Sequence, residues 1–346
     1  MKSLVWTAPE KMEFKETDIP EPGADEVLIE VKAVGICGSE IEGYRGHNSL
    51  RVPPLVMGHE FSGIIRRLGS QVETEGKKEE TLRPGQRVTV NPLTFCGKCM
   101  RCQKGLVNLC DHRSIIGIHR PGAFAEYVVV PAQNVHVVPD ETDFQRAALT
   151  EPLACSLRAA RRALDIHPLA NVVVIGAGAI GLLSAMACRL LGAAHVTILD
   201  TNDARLETAL NIGVNAAFNP NKGDVKAYIA RTCGEDAVDV VIDAAGFQPT
   251  RAMAIDLLHP GGTFMNIGLG IDDTVLPINR AIRSEIRMLG SFCYDQVDFH
   301  EAKKLLLSGK INHEGWTEAR PLSEGPQAFK QLVEGSVSSG KIILTL

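Results

Sequence analysis

The stretch that decides the fold is NVVVIGAGAIGLLSAMACRLLGAAHVTILD, residues 171–200. Its apolar, β-branched run at 172–175 predicts a buried strand, which leads through glycines into a predicted helix at 180–191. A second buried strand is predicted at 195–199. The later segments VDVVIDAAG and GGTFMNIGLG repeat the pattern of a strand that ends in glycine. This alternation predicts an α/β domain built on a doubly wound parallel sheet.

Gly176, Gly178 and Gly181 form the pattern G-x-G-x-x-G between the first strand and the helix. The first glycine permits the tight turn, the second lets the backbone approach a pyrophosphate, and the third lets the helix pack close to the sheet. Asp200 ends the next strand, where a carboxylate binds the ribose 2′-hydroxyl of NAD and repels the 2′-phosphate of NADP. Arg205 could accept a 2′-phosphate, stack on the adenine or lie in solvent. The pattern predicts an NAD(H) site, to which we also assign Ile180, Ile267, Gly268 and Ser291.

The first 150 residues read differently, as short β-type runs separated by glycine and proline. They predict a β-rich domain with inserted loops. The charged stretch at 73–85 reads as an exposed hairpin tip. The C-terminal GKIILTL reads as a strand that could return to the first sheet. We therefore place the domains at 1–154, at 155–292 and at 293–346, the last being a return to the first domain.

The composition argues against several classes of function. A formal net charge of −5 gives no electrostatic reason to expect a nucleic-acid partner. No apolar run approaches the ~18 residues of a membrane span. The N-terminal MKSLVWTAPEKMEF lacks the apolar centre of a signal peptide. We therefore expect a cytoplasmic protein, in which cysteines stay reduced.

Four of the nine cysteines fall within fifteen residues, in CGKCMRCQKGLVNLC. These are Cys96, Cys99, Cys102 and Cys110. Thiolates at this spacing can converge on one tetrahedral zinc, and four of them leave no position for water. The odd number of cysteines and the reducing compartment argue against disulfides. The spacing predicts a structural zinc site, with an iron–sulfur cluster as the weaker alternative.

A second group of possible metal donors is spread along the chain. Cys37 lies in GICGSE, His59 and Glu60 lie in MGHEFSG, and Glu151 lies in TEPLA. A thiolate, an imidazole and a carboxylate would leave zinc an open position for water or substrate, as a catalytic site requires. Spacing alone leaves a core cysteine and a hydrogen-bonded turn histidine as open alternatives.

Together these motifs resemble the zinc-dependent medium-chain alcohol and polyol dehydrogenases. GICGS, GHEFSG, the cysteine loop, the Glu-Pro at 151–152 and GAGAIG occur here in the order seen in that family. The resemblance covers essentially the whole chain. It implies a GroES-like catalytic domain, a Rossmann domain and a C-terminal return to the first. It also implies that Cys37, His59 and either Glu60 or Glu151 bind a catalytic zinc, with the four clustered cysteines holding a structural one.

The resemblance implies roles for further side chains near the catalytic metal. Ser39 is similar to the hydroxyl that passes the alcohol proton toward solvent. Glu60 is similar to a carboxylate that can bind and leave zinc during turnover. Members of the threonine and sorbitol types carry a histidine where this chain has Glu42. The outer end of the proton relay could therefore be Glu42 or His47.

Two groups of residues are candidates for binding substrate. Tyr294 lies in GSFCY, which resembles the strand where sorbitol enzymes place an arginine and a tyrosine against polyol hydroxyls. Cys293 stands at the place of that arginine. Loop arginines could clamp a phosphorylated substrate, and these are Arg45, Arg51, Arg113 and Arg120.

The expected protein is an NAD-dependent zinc enzyme with one catalytic and one structural zinc per subunit. It would oxidise a secondary alcohol of a polyol, sugar acid, cyclitol or polyol phosphate to the ketone. The resemblance implies a homodimer or homotetramer. The stretch at 119–134 resembles L-threonine 3-dehydrogenases, so oxidation of an amino alcohol is the alternative within the class. A non-catalytic protein that binds zinc and NADH is the alternative from another class.

Overall fold

The computed structural model describes residues 1–47, 50–72, 81–235 and 237–346. The predicted hairpin tip lies largely outside the described residues, since its residues 73–80 are not among them. The chain forms two compact units. The first contains Met1–Glu151, Asp295–Val337 and Lys341–Leu346, and the second contains Pro152–Tyr294 and Ser338–Gly340.

The elements follow in chain order, strands first. The strands are β1 (Lys2–Ala8), β2 (Lys11–Glu16), β3 (Glu26–Gly35), β4 (Leu55–Val56), β5 (Glu60–Leu68), β6 (Arg87–Val90), β7 (Leu93–Thr94), β8 (Ser114–Ile115), β9 (Tyr127–Pro131), β10 (Val135–Val137), β11 (Asn171–Ile175), β12 (His195–Leu199), β13 (Ala216–Phe218), β14 (Val240–Asp243), β15 (Thr263–Asn266), β16 (Arg287–Gly290), β17 (Thr317–Pro321) and β18 (Lys341–Thr345). The α-helices are α1 (Gly38–Tyr44), α2 (Met100–Gln103), α3 (Phe144–Ala148), α4 (Thr150–Leu164), α5 (Ala179–Leu190), α6 (Asp203–Asn211), α7 (Val225–Cys233), α8 (Gln248–Leu257), α9 (Ile278–Arg283), α10 (Gln296–Leu307) and α11 (Gly325–Val333).

The first unit is built on a sheet in the order β10-β6-β5-β3-β18-β17, with β9 also paired to β3. Strands β5, β9 and β18 each pair with β3, and all three run antiparallel to it. Strand β3 is paired with neighbouring strands along its length, and most of its side chains are buried. The C-terminal strand β18 thus joins the first sheet, as its sequence suggested. A smaller sheet, β2-β1-β4, and the β7-β8 pair complete this unit.

The second unit contains a six-stranded sheet in the order β13-β12-β11-β14-β15-β16, and every pair in it is parallel. Its central strand β11 carries the apolar run predicted from the sequence, and four of its five residues are buried. A strand buried on both faces needs such a continuous apolar run. The predicted α/β class, a β-rich domain plus a domain built on a parallel sheet, is confirmed.

The helices of the described residues have the lengths of ordinary globular helices. None among them is both long enough and apolar enough to cross a membrane.

Candidate active site

The glycine loop after β11 has the geometry that its sequence predicts. Gly176 has a φ of +100°, a left-handed conformation that glycine adopts without strain. Gly178 precedes the first residue of α5, and a Cβ on it would meet nothing within 4 Å. A Cβ on Gly181 would instead clash with the carbonyl oxygen of Gly176. The loop is therefore tight at its start, open at its centre, and closely packed where the helix begins.

Asp200 links this loop to the segment after β12. Its Oδ2 accepts the N–H of Ala177 at 2.7 Å, and its Oδ1 accepts the N–H of Asn202 at 2.8 Å. A carboxylate can accept about four hydrogen bonds, so Asp200 retains capacity for ribose hydroxyls. The loop, the N-terminus of α5 and this carboxylate together have the chemistry of a dinucleotide site.

The other residues assigned to the cofactor lie in the same unit. Ile180 is half-buried at the start of α5, and Arg205 is half-buried in α6. The N–H groups of Ile267 and Gly268 donate to the carbonyl of Asp243, at 3.1 and 2.8 Å. Ser291 follows β16, and its buried Oγ has no hydrogen-bond partner among the described residues. Contact of these residues with the cofactor stays a prediction.

The four clustered cysteines converge around one point. The Sγ atoms of Cys99 and Cys102 lie 3.6 Å apart, those of Cys99 and Cys110 3.9 Å apart, and those of Cys110 and Cys96 3.6 Å apart. Four thiolates at ~2.3 Å from a tetrahedral zinc would be about 3.8 Å from one another, whereas a disulfide requires about 2.05 Å. The spacing fits a single ion better than a cluster, whose thiolates would bind different iron atoms.

The register of β3 and β5 brings a second donor group together. Gly35, the last residue of β3, lies opposite Glu60, the first residue of β5. Cys37 comes just after the end of β3, and His59 comes just before the start of β5. The two residues therefore lie at the same end of the β3–β5 pair. One donor atom each from Cys37, His59 and Glu60 lies within 4.8 Å of the others. We call these three residues the metal-donor group.

Glu40, on α1, orients the histidine of the metal-donor group. Its Oε1 accepts from His59 Nδ1 at 2.8 Å and from the N–H of Gly58 at 2.8 Å, and its Oε2 accepts the N–H of Cys37 at 3.0 Å. Burial favours the neutral acid, but His59, Arg51 and the Cys37 N–H outweigh it and lower the pKa of Glu40. An ionised carboxylate only accepts, so Nδ1 carries the proton and Nε2 is the nitrogen available to a metal.

Protons compete with a metal at His59. Burial opposes a charged imidazole, yet the carboxylate of Glu40 and then the thiolate of Cys37 raise the pKa of His59 well above its usual range. Metal affinity at this position should therefore fall as the solution becomes acidic.

Glu60 faces a buried lysine. Lys341, at the start of β18, forms an ion pair with Glu60 Oε2, and both side chains are almost fully buried. Burial disfavours the ammonium, but the Glu60 carboxylate raises the pKa of Lys341. The other carboxylate oxygen of Glu60, Oε1, has no hydrogen-bond partner among the described residues. Gly35 leaves room for both side chains, because a Cβ there would collide with them.

Ser39 lies beside the metal-donor group on α1. Its hydroxyl donates to Cys37 Sγ at 3.3 Å, and it accepts from the guanidinium of Arg51 at 3.1 Å. Glu42, one turn farther on, accepts from Arg45 at 3.4 Å and contacts His47 Nδ1 at 3.2 Å. The two alternatives for the outer end of the relay, Glu42 and His47, thus contact each other.

The remaining predicted residues lie elsewhere. Glu151 is buried in the first turn of α4, outside the described group whose donors lie within 4.8 Å of one another. Tyr294 is 1% exposed. Arg120 donates to Glu26 at 2.7 Å and to the carbonyl of Val129 at 3.2 Å. Metal binding by Glu151 and substrate binding by Tyr294 or Arg120 stay predictions, and the pairing of Arg120 does not favour its role.

Three contributors to the site carried no sequence signal of that role. Glu40 is three residues after Cys37. In a helix this spacing brings two side chains close together, but the sequence did not predict a helix here. Lys341 is brought in by strand pairing from the other end of the chain. Arg51 was a candidate for a phosphate clamp, but its guanidinium is buried against Ser39.

Two family models match the chain. One is the alcohol dehydrogenase GroES-like domain, over residues 23–140. The other is the zinc-binding dehydrogenase, over residues 179–308. The first match contains the metal-donor group and the cysteine cluster, and the second contains Gly181, Asp200 and α5.

Similar proteins match nearly the whole chain. D-xylulose reductase A from Aspergillus oryzae is 33% identical over 355 residues, which cover 99% of this chain and 95% of that protein. L-galactonate-5-dehydrogenase from Escherichia coli is 35% identical over 311 residues, with coverage of 90% and 88%. A Sinorhizobium meliloti 1021 protein whose crystal structure contains NADP is 33% identical, with a TM-score of 0.91 and coverage of 100% and 99%.

Proposed function

The chain belongs to the zinc-binding dehydrogenases with a GroES-like alcohol dehydrogenase domain, and on that basis we propose that it oxidises a secondary alcohol to a ketone with NAD. The substrate is a polyol, sugar acid, cyclitol or polyol phosphate. The observation that supports this most strongly is the convergence of Cys37, His59 and Glu60 beside the hydroxyl of Ser39.

The metal-donor group fits a zinc ion that keeps an open position. It combines a thiolate, an imidazole oriented through Nδ1 and a buried carboxylate whose Oε1 has no hydrogen-bond partner among the described residues. Once bound, zinc supplies Lewis-acid stabilisation of the negative charge that develops on the alcohol oxygen, and NAD supplies the acceptor for the hydride. Zinc binding by Glu60→Gln and Glu151→Gln variants distinguishes Glu60 from Glu151 as the carboxylate ligand.

The side chains of this site handle the proton. We assign Ser39 to accept the proton of the alcohol while its own proton passes on toward solvent. Glu42 and His47, which contact each other at 3.2 Å, are the acceptors at the outer end. The pair could share one proton, so the relay does not require the histidine that related enzymes carry at the place of Glu42.

The cofactor assigned to this chain is NAD. Asp200 places a carboxylate where the adenosine ribose would bind, and it is already fixed by two backbone N–H groups. A fixed carboxylate binds ribose hydroxyls and repels a phosphate. The structural relative with NADP makes this assignment worth testing, and Arg205 is the nearby residue that could reverse it.

Unphosphorylated polyols and sugar acids are the favoured substrates within the proposed class. All four arginines considered for a phosphate clamp have hydrogen-bond partners. Arg45 bonds Glu42, Arg51 bonds Ser39, Arg113 bonds the carbonyl of Cys110 and Arg120 bonds Glu26. A phosphorylated substrate would have to displace one of these contacts.

We further assign the protein to the cytoplasm and to a homodimer or homotetramer. The edge strand β16 and α9 expose apolar side chains that a second copy could cover, including Ile282 at 67% and Met288 at 40% exposure. Sedimentation at several concentrations tests the assembly.

The experiment that tests the function is a panel of NAD+ reduction rates with zinc-loaded protein. The panel contains free polyols, sugar acids, cyclitols, polyol phosphates and L-threonine. We expect one of the first four classes to give the highest kcat/KM. L-threonine as the sole substrate would replace the proposal with an amino-alcohol activity. A protein that binds both zinc and NADH yet turns over nothing in the panel would point to a non-catalytic role.

A further inference from the structure

Arg51 is a buried cation whose hydrogen bonds go to neutral atoms. The residue is 3% exposed. One guanidinium nitrogen donates to the backbone carbonyl of Ser39 at 3.0 Å, and the other donates to the hydroxyl of Ser39 at 3.1 Å. Its Nε has no hydrogen-bond partner among the described residues. Both of its bonds therefore end on a single residue.

We infer that Arg51 is a positioning residue that fixes the direction of the Ser39 hydroxyl toward the metal-donor group. A serine hydroxyl has one proton and two lone pairs, and a guanidinium can only donate. The bond from Arg51 fills one lone pair. In the resting site the proton of Ser39 points to Cys37 Sγ, 3.3 Å away, and the second lone pair stays available to the alcohol. When the alcohol proton reaches that lone pair, the original Ser39 proton leaves Cys37 Sγ and passes to the outer acceptor. The inference rests on the relay proposed for Ser39.

Acidic groups near Arg51 favour its charge, while its hydrogen bonds go to Ser39. Burying a cation is costly unless an acid compensates it closely. The neighbouring Glu40 and Cys37 favour the charged guanidinium, but the hydrogen bonds of Glu40 go to Cys37 N–H, Gly58 N–H and His59. No ion pair joins Arg51 to a carboxylate in the part of the chain that the structure describes. Arg51 is thus a buried cation whose described hydrogen bonds both end on Ser39.

Gly43 provides the space that this arrangement needs. It lies one turn after Ser39 on α1, and a Cβ there would be 2.7 Å from Cδ and 3.3 Å from Nε of Arg51. The absence of a side chain at Gly43 therefore leaves space on α1, one turn after Ser39, that the side chain of Arg51 fills. Adding a methyl group at this position should push the guanidinium away from Ser39 without removing its charge.

The test is a double-mutant cycle of Arg51→Met and Ser39→Ala in the zinc-loaded enzyme. A misplaced reacting group can lower the rate about 100-fold. We expect R51M to lower kcat about 10- to 100-fold while KM for NAD+ changes less than about twofold. In the S39A background, R51M should cause no further loss, because residues that act through one another are not additive. Zinc content and melting temperature are recorded for every variant.

Each outcome separates the inference from the function on which it rests. Equal losses from R51M in both backgrounds would overturn the inference and leave the relay intact. An unchanged kcat in S39A alone would overturn the relay and the inference with it. If R51M does not fold or loses zinc, Arg51→Lys and Gly43→Ala replace it in the cycle. These variants keep the charge but not both bonds, so wild-type kcat in both of them would also overturn the inference.

Discussion

Replacing Glu40 by glutamine is expected to weaken the metal-donor group without altering any of its donors. Oε1 of Glu40 accepts two hydrogen bonds, from Gly58 and His59, and Oε2 accepts one, from Cys37. Glutamine keeps only one oxygen. In its better orientation that oxygen keeps the two bonds of Oε1, and the new NH2 group faces the N–H of Cys37. The N–H of Cys37 and the NH2 group that faces it are then both left without an acceptor.

The magnitude follows from these two unpaired donor groups. A buried donor without a partner costs about 1–3 kcal/mol. For a domain of this size, each kcal/mol shifts the melting temperature by about 2–4 °C. We therefore expect the free energy of unfolding to fall by about 2–6 kcal/mol, and the melting temperature by about 4–24 °C. Because Glu40 also orients His59, zinc affinity at the metal-donor group should fall about 10- to 100-fold.

The assay is competition for zinc with a chromophoric chelator, together with scanning calorimetry. The cysteine cluster serves as an internal control, because its zinc should be released at the wild-type rate in Glu40→Gln. Glu16→Gln is the matched control, since Glu16 is exposed on β2 in the same unit. If Glu40→Gln retains both the wild-type melting temperature and the wild-type zinc affinity, the role assigned to Glu40 is refuted.

Three further predictions concern other parts of the molecule. Cys99→Ser removes one of four converging thiolates, so metal analysis should find one zinc fewer per chain and calorimetry a lower melting temperature. Asp200→Ser removes a charged acceptor for ribose, which should weaken NADH binding about 10- to 100-fold and narrow the preference over NADPH, as fluorescence titration would measure. Arg120→Met removes the partner of Glu26. Burial raises the pKa of Glu26, but Arg120 and the N–H of Gly23 lower it further than burial raises it. The stability from this pair is therefore present at neutral pH and lost as pH falls below about 4.3. Since the pair is partly exposed, R120M should lower the melting temperature by about 1–4 °C near pH 7 and by less near pH 3.5.

Each of these three predictions has a control or an outcome that would contradict it. Cys233→Ser, outside both donor sets, should keep the wild-type zinc content. An unchanged zinc content in Cys99→Ser would mean that the cluster does not hold a metal. Equal binding of NADH and NADPH by the unmodified protein would contradict the role of Asp200. A rise in KM for one substrate in Arg120→Met would return Arg120 to the substrate site that the sequence suggested.

The nucleotide-binding unit could be predicted well because its signals are local in sequence. The strand at 172–175, the glycines and the helix at 180–191 agree with β11 and α5 to within one residue at each end. Each glycine also has the surroundings that its place in the motif predicts. A buried parallel strand and its following turn depend on neighbouring residues, and the sequence displays these directly.

The metal-donor group was suggested by its residue types but located only by strand pairing. Cys37 and His59 are adjacent because Gly35 lies opposite Glu60 in the β3–β5 pair. A register of this kind depends on long-range packing that a single sequence does not reveal. The choice between Glu60 and Glu151 shows the same limit, since only the fold shows that Glu60 joins Cys37 and His59.

The side chains that support this group could not be predicted. Helix α1 has seven residues, including two glycines, and is too short to show a hydrophobic period. Without that helix, Glu40 and Gly43 have no defined direction. Arg51 looked like a loop arginine that could bind phosphate. Its burial against Ser39 follows from tertiary packing.

The measurement that tests the central claim most directly is turnover and NADH binding by the Cys37→Ala variant. The account predicts that this variant binds NADH with wild-type affinity, since the nucleotide loop is untouched, and that NAD+ reduction falls to background. Zinc at the cysteine cluster should remain. Turnover at the wild-type rate by Cys37→Ala protein, with metal analysis showing no zinc beyond that of the cluster, would contradict the claim that Cys37, His59 and Glu60 form the catalytic metal site.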